Sequence, residues 1–134
     1  MSGCGIILYT KKYGKTRYLA LEVDARMALV SGGKWDLPKG TKNPNESDVD
    51  CAIRETAEET SISISPQDIS NDSFTIGPLT MFYAETNRDP VIAPNPESGI
   101  IEHTSFKWMT DVEIYANCFP YLKPFVKWIS AKNL

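Results

Sequence analysis

Between Ser47 and Thr60 the sequence writes a helix with two faces of opposite character. Val49, Ala52, Ile53, Thr56, Ala57 and Thr60 recur at i, i+3, i+4, i+7, i+8 and i+11. That is one continuous stripe of small or β-branched groups, suited to close packing on a sheet. At about 100° per residue, Glu59 stands roughly 40° to one side of Glu55, and Glu58 roughly 60° to the other. The three carboxylates therefore share an arc of about 100°, nearly opposite the stripe. Ser47 is the expected N-cap, with Asp48 and Asp50 in the positive first turn. A chain holding this helix needs a sheet on one side of it and compensation for crowded charge on the other.

Like charges at i and i+4 destabilise a helix by a few tenths of a kcal/mol. Arg54 is the one cation at hand. Read alone, RETAEET (54–60) is as compatible with a solvated acidic surface as with a site. The alternative is a hard divalent cation, Mg²⁺ or Mn²⁺, which carboxylate oxygens bind well.

The remaining pattern is one of strands. Cys4–Tyr9 is a short apolar run and reads as a buried strand. Lys11–Lys15 is a polar turn, and the alternating Arg17–Val23 should pair back onto the first strand. Met27–Val30 reads as a further short strand. Ser31–Gly40, rich in Gly and Pro, reads as a loop. A strand is expected within Phe74–Thr86, best placed at Leu79–Glu85. Asn87–Gly99 holds three prolines and no period, which suggests a functional flap. Ile100–Met109 reads as a strand with Phe106 and Trp108 facing inward. Thr110 and Asp111 should open a short helix. Phe119, Leu122, Phe125, Val126 and Ile129 suggest a last helix with Pro124 in its first turn. At 134 residues, without repeats or a linker, one domain over 1–134 is expected.

Charge and cysteine usage narrow the function. A formal net charge of −3 does not suit a general nucleic-acid coat. An anionic substrate would need metal ions or a local basic cluster. Cys4, Cys51 and Cys118 are far apart and match neither zinc spacing nor a disulfide framework. Buried reduced thiols and a cytoplasmic location are expected. No apolar run is long enough for a membrane span, and no basic-then-apolar leader opens the chain. The sequons at Asn45 and Asn71 read as chance.

The segment Gly40, five residues, Glu46, seven residues, Arg54-Glu55, two residues, Glu58-Glu59, one residue, Ser61, Ile62 resembles the Nudix hydrolase signature. Composition alone gives such a match on the order of once in ten million windows. Ser61 stands where the family usually has glycine, just past the helix. A left-handed turn there would cost serine roughly 1 kcal/mol. The resemblance implies an α/β fold, an α/β/α sandwich with a mixed β-sheet between helices. It also implies a Mg²⁺- or Mn²⁺-dependent enzyme that cleaves phosphoanhydride bonds of nucleoside polyphosphates.

By that resemblance Glu55 and Glu59 are metal ligands, and Glu58 is a further ligand or the base that activates water. Arg54 orients a neighbouring carboxylate, Glu46 or Glu55. Gly40, Glu46 and Ser61 shape the box. The Lys39 carbonyl and Glu102 are further metal-ligand candidates. WDLPKG (35–40) resembles the segment leading into the box in asymmetric diadenosine tetraphosphate hydrolases, diphosphoinositol polyphosphate phosphohydrolases and related enzymes, and the similarity of the CGIILY strand and of the Glu102-His103 segment with Phe106 and Trp108 favours the first of these. Lys39 then points at a phosphate, and Trp35 either meets substrate or packs in the core. Lys34, Lys39 and Lys42 form a modest basic cluster. Tyr83 and Tyr121 are the aromatic platforms for a purine, and His103 adjoins the site. Diadenosine tetraphosphate, split to ATP and AMP, is the expected substrate. The 5′ end of RNA, a diphosphoinositol polyphosphate and an oxidised nucleotide are alternatives, although no basic RNA channel is evident. A nucleotide-binding domain without activity is the rival from another class. No obligate protein partner is evident.

Overall fold

The computed structural model describes all residues except 1, 32, 95–98, 100 and 101. Its sheet is built around β1 (Gly3–Thr10), which runs parallel to β6 (Leu79–Glu85) along its whole length. On its other edge β1 pairs antiparallel with β2 (Arg17–Val23) only at Tyr9 and Thr10. The two strands then diverge. Into the gap run β3 (Trp35–Asp36), paired with β2, and β4 (Lys39–Thr41), paired with the first half of β1. β7 (His103–Met109) covers the far edge of β2, and β5 (Phe74–Ile76) the far edge of β6. One parallel pairing among antiparallel ones makes this the mixed sheet that the resemblance implied.

Alternation along β1 assigns the two faces. Cys4, Ile6 and Leu8 point to one core, together with Leu19, Leu21, Phe82 and Trp108. Against them lies α2 (Asp48–Thr60), through Cys51 and Ala52. Ile7, Tyr18, Ala20 and Met81 point to the opposite core. That face is closed by α3 (Asp111–Asn117) and α4 (Lys123–Ser130), through Ile114, Phe125, Val126 and Ile129. Each fully buried aliphatic side chain contributes about 1.5–3 kcal/mol. Helices on both faces of one sheet give the expected α/β/α sandwich.

Local chemistry explains where the elements begin and end. Ser47 caps α2, its hydroxyl accepting from the Asp50 N–H, as expected. Thr110 caps α3 with a full capping box to Glu113. Gly5 is required by the β1–β4 crossing: a Cβ there would lie 2.1 Å from the Pro38 carbonyl oxygen. All three cysteines are free and buried.

Several expectations are corrected. Residues 27–30 are not a strand but belong to α1 (Ala25–Ser31). Ala, Arg, Met and Leu favour helix and outweigh Val30. The 31–40 loop contains β3 and β4, too short to show alternation. The strand expected at Leu79–Glu85 is observed with those bounds, and Phe74–Ile76 pairs with it as a second strand across a turn at Gly77, φ 55°. Phe119 and Leu122 precede α4: Leu122 ends a 3-10 turn, Pro120–Leu122. Of the strand expected at 100–109, His103–Met109 is observed, and 100 and 101 lie outside the described residues. No helix among the described residues is long and apolar enough to cross a membrane.

Candidate active site

The divergence of β1 and β2 brings three segments together: the loop through β3 and β4, the last turns of α2, and the start of β7. Arg54 is the organising cation. Its Nε and Nη2 donate to the two Glu46 oxygens at 2.8 and 3.0 Å. Its Nη1 donates to Glu55 at 2.9 Å and Glu58 at 3.2 Å. Nη2 also reaches the Thr41 carbonyl at 2.9 Å. The bonds to Arg54, above all, hold the Glu46 carboxyl down at about 2. The pKa of Arg54 is raised in turn, first by Glu46. Arg54 thus orients both carboxylates the sequence offered as its partners, and a third besides.

The acidic arc is not solvated. Glu55 is only 9% exposed, at the edge of the face that packs on the sheet. Its carboxylate lies directly over Gly40, where a Cβ would come within 1.9 Å of Oε2. The box glycine is therefore a steric requirement of Glu55 rather than of backbone conformation. Burial pushes the Glu55 carboxyl up, against the pull of Arg54. The helical-wheel placement opposite the apolar stripe is corrected here, because β4 covers this side of the helix.

Glu59 is held by the loop that precedes the box. The Lys39 backbone N–H donates to its Oε1 at 2.9 Å. Burial, and then the charge of Asp36, push its pKa well above the ordinary value. One ligand atom each from Glu59, Glu102 and His103 lies within 4.8 Å of the others. Glu58, Glu59, Ile92, Ala93, Glu102 and His103 enclose a small cavity there. Two carboxylates and an imidazole, short of positive charge, are a donor set that suits a divalent cation. The residues present fit that group.

Beneath the cluster Asp36 joins Lys39 and His103 in a buried triad. Asp36 accepts from the Leu37 N–H at 2.9 Å, meets the Lys39 ammonium at 3.0 Å and pairs with His103 Nε2 at 3.1 Å. Burial opposes the charge of Asp36, but His103 and Lys39 outweigh it and its pKa is lowered. Burial likewise opposes the charge of Lys39, yet Asp36 and Tyr121 outweigh it and its pKa is raised. Asp36 was missed in the sequence. Its one signal was to be the only acid between Ser31 and Gly40.

The other expected residues are distributed unevenly. Tyr121 is half exposed at 51%, with Lys39 Nζ 5.6 Å from its ring centroid. With Gly3, Gly40, Thr41 and Leu79 they line a cleft of about 320 Å³. Tyr83 is not brought to the cluster: its hydroxyl donates to Asp72 at 2.7 Å and its ring meets Trp128 edge-on. Lys34 points away, pairing with Glu22 at 2.7 Å, and Lys42 pairs with Asp48 at 2.9 Å. Trp35 packs against the α3–α4 core, the second of its two readings. Ser61 takes the left-handed conformation, φ 63° and ψ 15°, and its hydroxyl donates to the Val91 carbonyl at 3.1 Å. The helix end is thereby joined to the segment 87–94, which has no regular structure.

Comparison with known proteins bears on the family and the fold. The sequence profile of the NUDIX domain matches residues 15–128. The asymmetrical bis(5′-nucleosyl)-tetraphosphatase of Caenorhabditis elegans is 28% identical over 116 residues, 81% of this chain and 78% of that protein. The mRNA decapping complex subunit 2 of Schizosaccharomyces pombe is 30% identical over 128 residues, 79% of this chain but 17% of that protein. A solved C. elegans Ap4A hydrolase binary complex has a TM-score of 0.71 at 20% identity, covering 97% of this chain and 96% of that one. At that identity the structural likeness is one of fold.

Proposed function

The chain belongs to the Nudix family of hydrolases, and from that premise we propose that it splits dinucleoside polyphosphates, diadenosine tetraphosphate giving ATP and AMP. The observation that carries the reading is the Glu59–Glu102–His103 cluster beside the three carboxylates gathered by Arg54. The asymmetrical tetraphosphatase relative, covered over 78% of its length, supports the substrate class.

Glu59, Glu102 and His103 would hold a divalent ion, with Glu55 and the Lys39 carbonyl as further ligands. Such an ion, when bound, neutralises the polyphosphate and lowers the pKa of water. Every other contribution comes from the chain. Glu58 keeps one oxygen on Arg54 at 3.2 Å, and its second oxygen has no hydrogen bond among the described residues. That oxygen is the proton acceptor for an attacking water. The water oxygen bonds to phosphorus, the bridging P–O bond breaks, and the leaving phosphate takes the electron pair. Arg54 fixes the acceptor so that it need not be reoriented during the reaction. Tyr121, beside Lys39, offers a purine a stacking face worth about 1–3 kcal/mol. Lys39 is engaged by Asp36 at 3.0 Å, so it meets the substrate as part of a neutralised pair.

The test is incubation with diadenosine tetraphosphate and Mg²⁺, with products separated by anion exchange. ATP plus AMP is expected. Two ADP, or no turnover, contradicts the reading. Unchanged turnover in Glu55→Gln, Glu58→Gln and Glu59→Gln would contradict the residue roles. A second reading, hydrolysis at the 5′ end of RNA, is favoured by the decapping relative and by Lys11, Lys12, Lys15 and Arg17 at the β1–β2 turn.

A further inference from the structure

The turn joining β1 to β2, residues 11–17, reads KKYGKTR. It carries Lys11, Lys12, Lys15 and Arg17 and no acid, in a chain of formal net charge −3. Tyr13 is 52% exposed. Lys12 Nζ lies 5.3 Å from its ring centroid, and the Arg17 guanidinium 5.7 Å. Gly14, at φ 84°, turns the chain back. Lys12 is tied to Asp89 at 3.1 Å, and Arg17 lies 3.8 Å from Glu113. Lys11 and Lys15 are exposed, and Lys15 acts on Asp111 through its charge without a salt bridge among the described residues.

The hairpin is physically continuous with the site. Val23 pairs with His103 at one end of β2, and Tyr18 with Met109 at the hairpin end. Six residue steps on β7 separate His103 from Met109, roughly 20 Å at about 3.3 Å each. The segment 87–93 bridges the same span. Its Asn87 carbonyl and Asp89 carboxylate accept from Lys12 at 3.2 and 3.1 Å. Asp89 also accepts from the Trp108 indole at 2.8 Å. Its Ile92 and Ala93 then wall the Glu59–Glu102–His103 cavity.

We propose that this hairpin is a binding surface for single-stranded RNA, which runs from it along the 87–93 segment toward the site. Four cations on a turn match repeating phosphates. An exposed ring among them suits an unpaired base, which a duplex would hide. The surface stands without the dinucleotide reading; the direction of the strand, 5′ end at the site, rests on the second reading above.

The probe is a fluorescent single-stranded RNA with a 5′-hydroxyl, which offers no polyphosphate to cleave. Binding to the full chain is followed by anisotropy. Four phosphate contacts at a slope of about −0.7 each predict a roughly 50-fold loss of affinity between 50 and 200 mM salt. In Lys11→Ala/Lys15→Ala two contacts remain, and the loss falls to roughly sevenfold. Tyr13→Leu weakens binding about fivefold or more. Turnover of diadenosine tetraphosphate, assayed alongside, is unchanged in both variants. No binding at 50 mM salt, an unchanged salt slope in the double variant, or equal affinity for duplex RNA overturns the proposal. RNA binding without turnover refutes the proposed hydrolysis and leaves the surface standing. Turnover without RNA binding does the reverse.

Discussion

Arg54→Lys separates the charge of the box arginine from its geometry. Arginine serves Glu46 twice, at 2.8 and 3.0 Å, and Glu55, Glu58 and the Thr41 carbonyl at 2.9, 3.2 and 2.9 Å. Lysine keeps the charge but has one nitrogen, and cannot reproduce the fork. Glu46 loses most. Its pKa is lowered from 4.5 to about 2, chiefly by the Arg54 hydrogen bonds. Taken whole, that corresponds to about 3 kcal/mol of stability. The arginine side chain is 25% exposed, and water screening reduces the figure to about 1–2 kcal/mol. The folded pKa lies below the unfolded one. The contribution is therefore complete above pH 4.5 and disappears as the pH falls to about 2. Urea unfolding of the wild type and Arg54→Lys, from neutral pH through that window, reads it directly. The variant should start about 1–2 kcal/mol lower at neutral pH, and the two curves should converge in acid. Parallel curves, with the same gap at both ends, would refute the reasoning, because the acid sensitivity would then belong to another carboxylate.

Three further outcomes follow from the same contacts. Gly40→Ala places a Cβ 1.9 Å from Glu55 Oε2, and Glu55 can retreat only by giving up Arg54. A loss of about 2 kcal/mol is expected, partly recovered in Gly40→Ala/Glu55→Ala; additive losses in urea unfolding would contradict the steric account. Ser61→Gly relieves a left-handed serine at φ 63° and should stabilise by up to about 1 kcal/mol. It also releases the Val91 carbonyl, so the Val91 amide should exchange faster with solvent; a lower Tm, or an unchanged exchange rate, contradicts it. Glu59→Gln and Glu102→Gln should each weaken Mn²⁺ binding at least about tenfold, measured by electron paramagnetic resonance without substrate. Wild-type affinity in both would remove the cluster as the ion site.

The site was more legible than the frame around it, for a physical reason. Glu46, Arg54, Glu55, Glu58 and Glu59 lie on or beside one helix, whose period set their spacing, while the resemblance gave that spacing its roles. Ser47, at the start of that helix, was readable from capping chemistry, and Ser61, at its end, from the resemblance. Glu102 and His103 needed the resemblance, since nothing local tells a strand-start acid from an ordinary surface acid. The divergence of β1 and β2 was not legible at all. It depends on Gly5 allowing Pro38 to cross at close range, and on β3 and β4, two and three residues long. Elements that short have no period to read. Tyr83 and Tyr121 were equal candidates in the sequence, and tertiary placement alone distinguished them. Tyr83 follows β6 into an aromatic group with Trp128 and Tyr9, whereas Tyr121 stands half exposed beside Lys39.

The Asp36–Lys39–His103 triad gives that divergence a purpose. Burying a carboxylate and an ammonium costs several kcal/mol per ion, and replacing such a pair by apolar groups is often neutral or stabilising. Asp36 is 6% exposed and His103 5%, so the triad is weak evidence for stability. What it does is join elements that are distant in sequence. Asp36 belongs to β3, Lys39 to β4 and His103 to β7. The same Lys39 gives its backbone N–H to Glu59 of α2. Four elements are thus held in register at one point. Two members of the ion cluster are tied to this hub: His103 belongs to it, and Glu59 is one contact away. A purely apolar plug in the same gap would pack as well, but it would fix neither the imidazole ring nor the Glu59 carboxylate. The triad supplies orientation rather than burial, and orientation is the quantity the site requires.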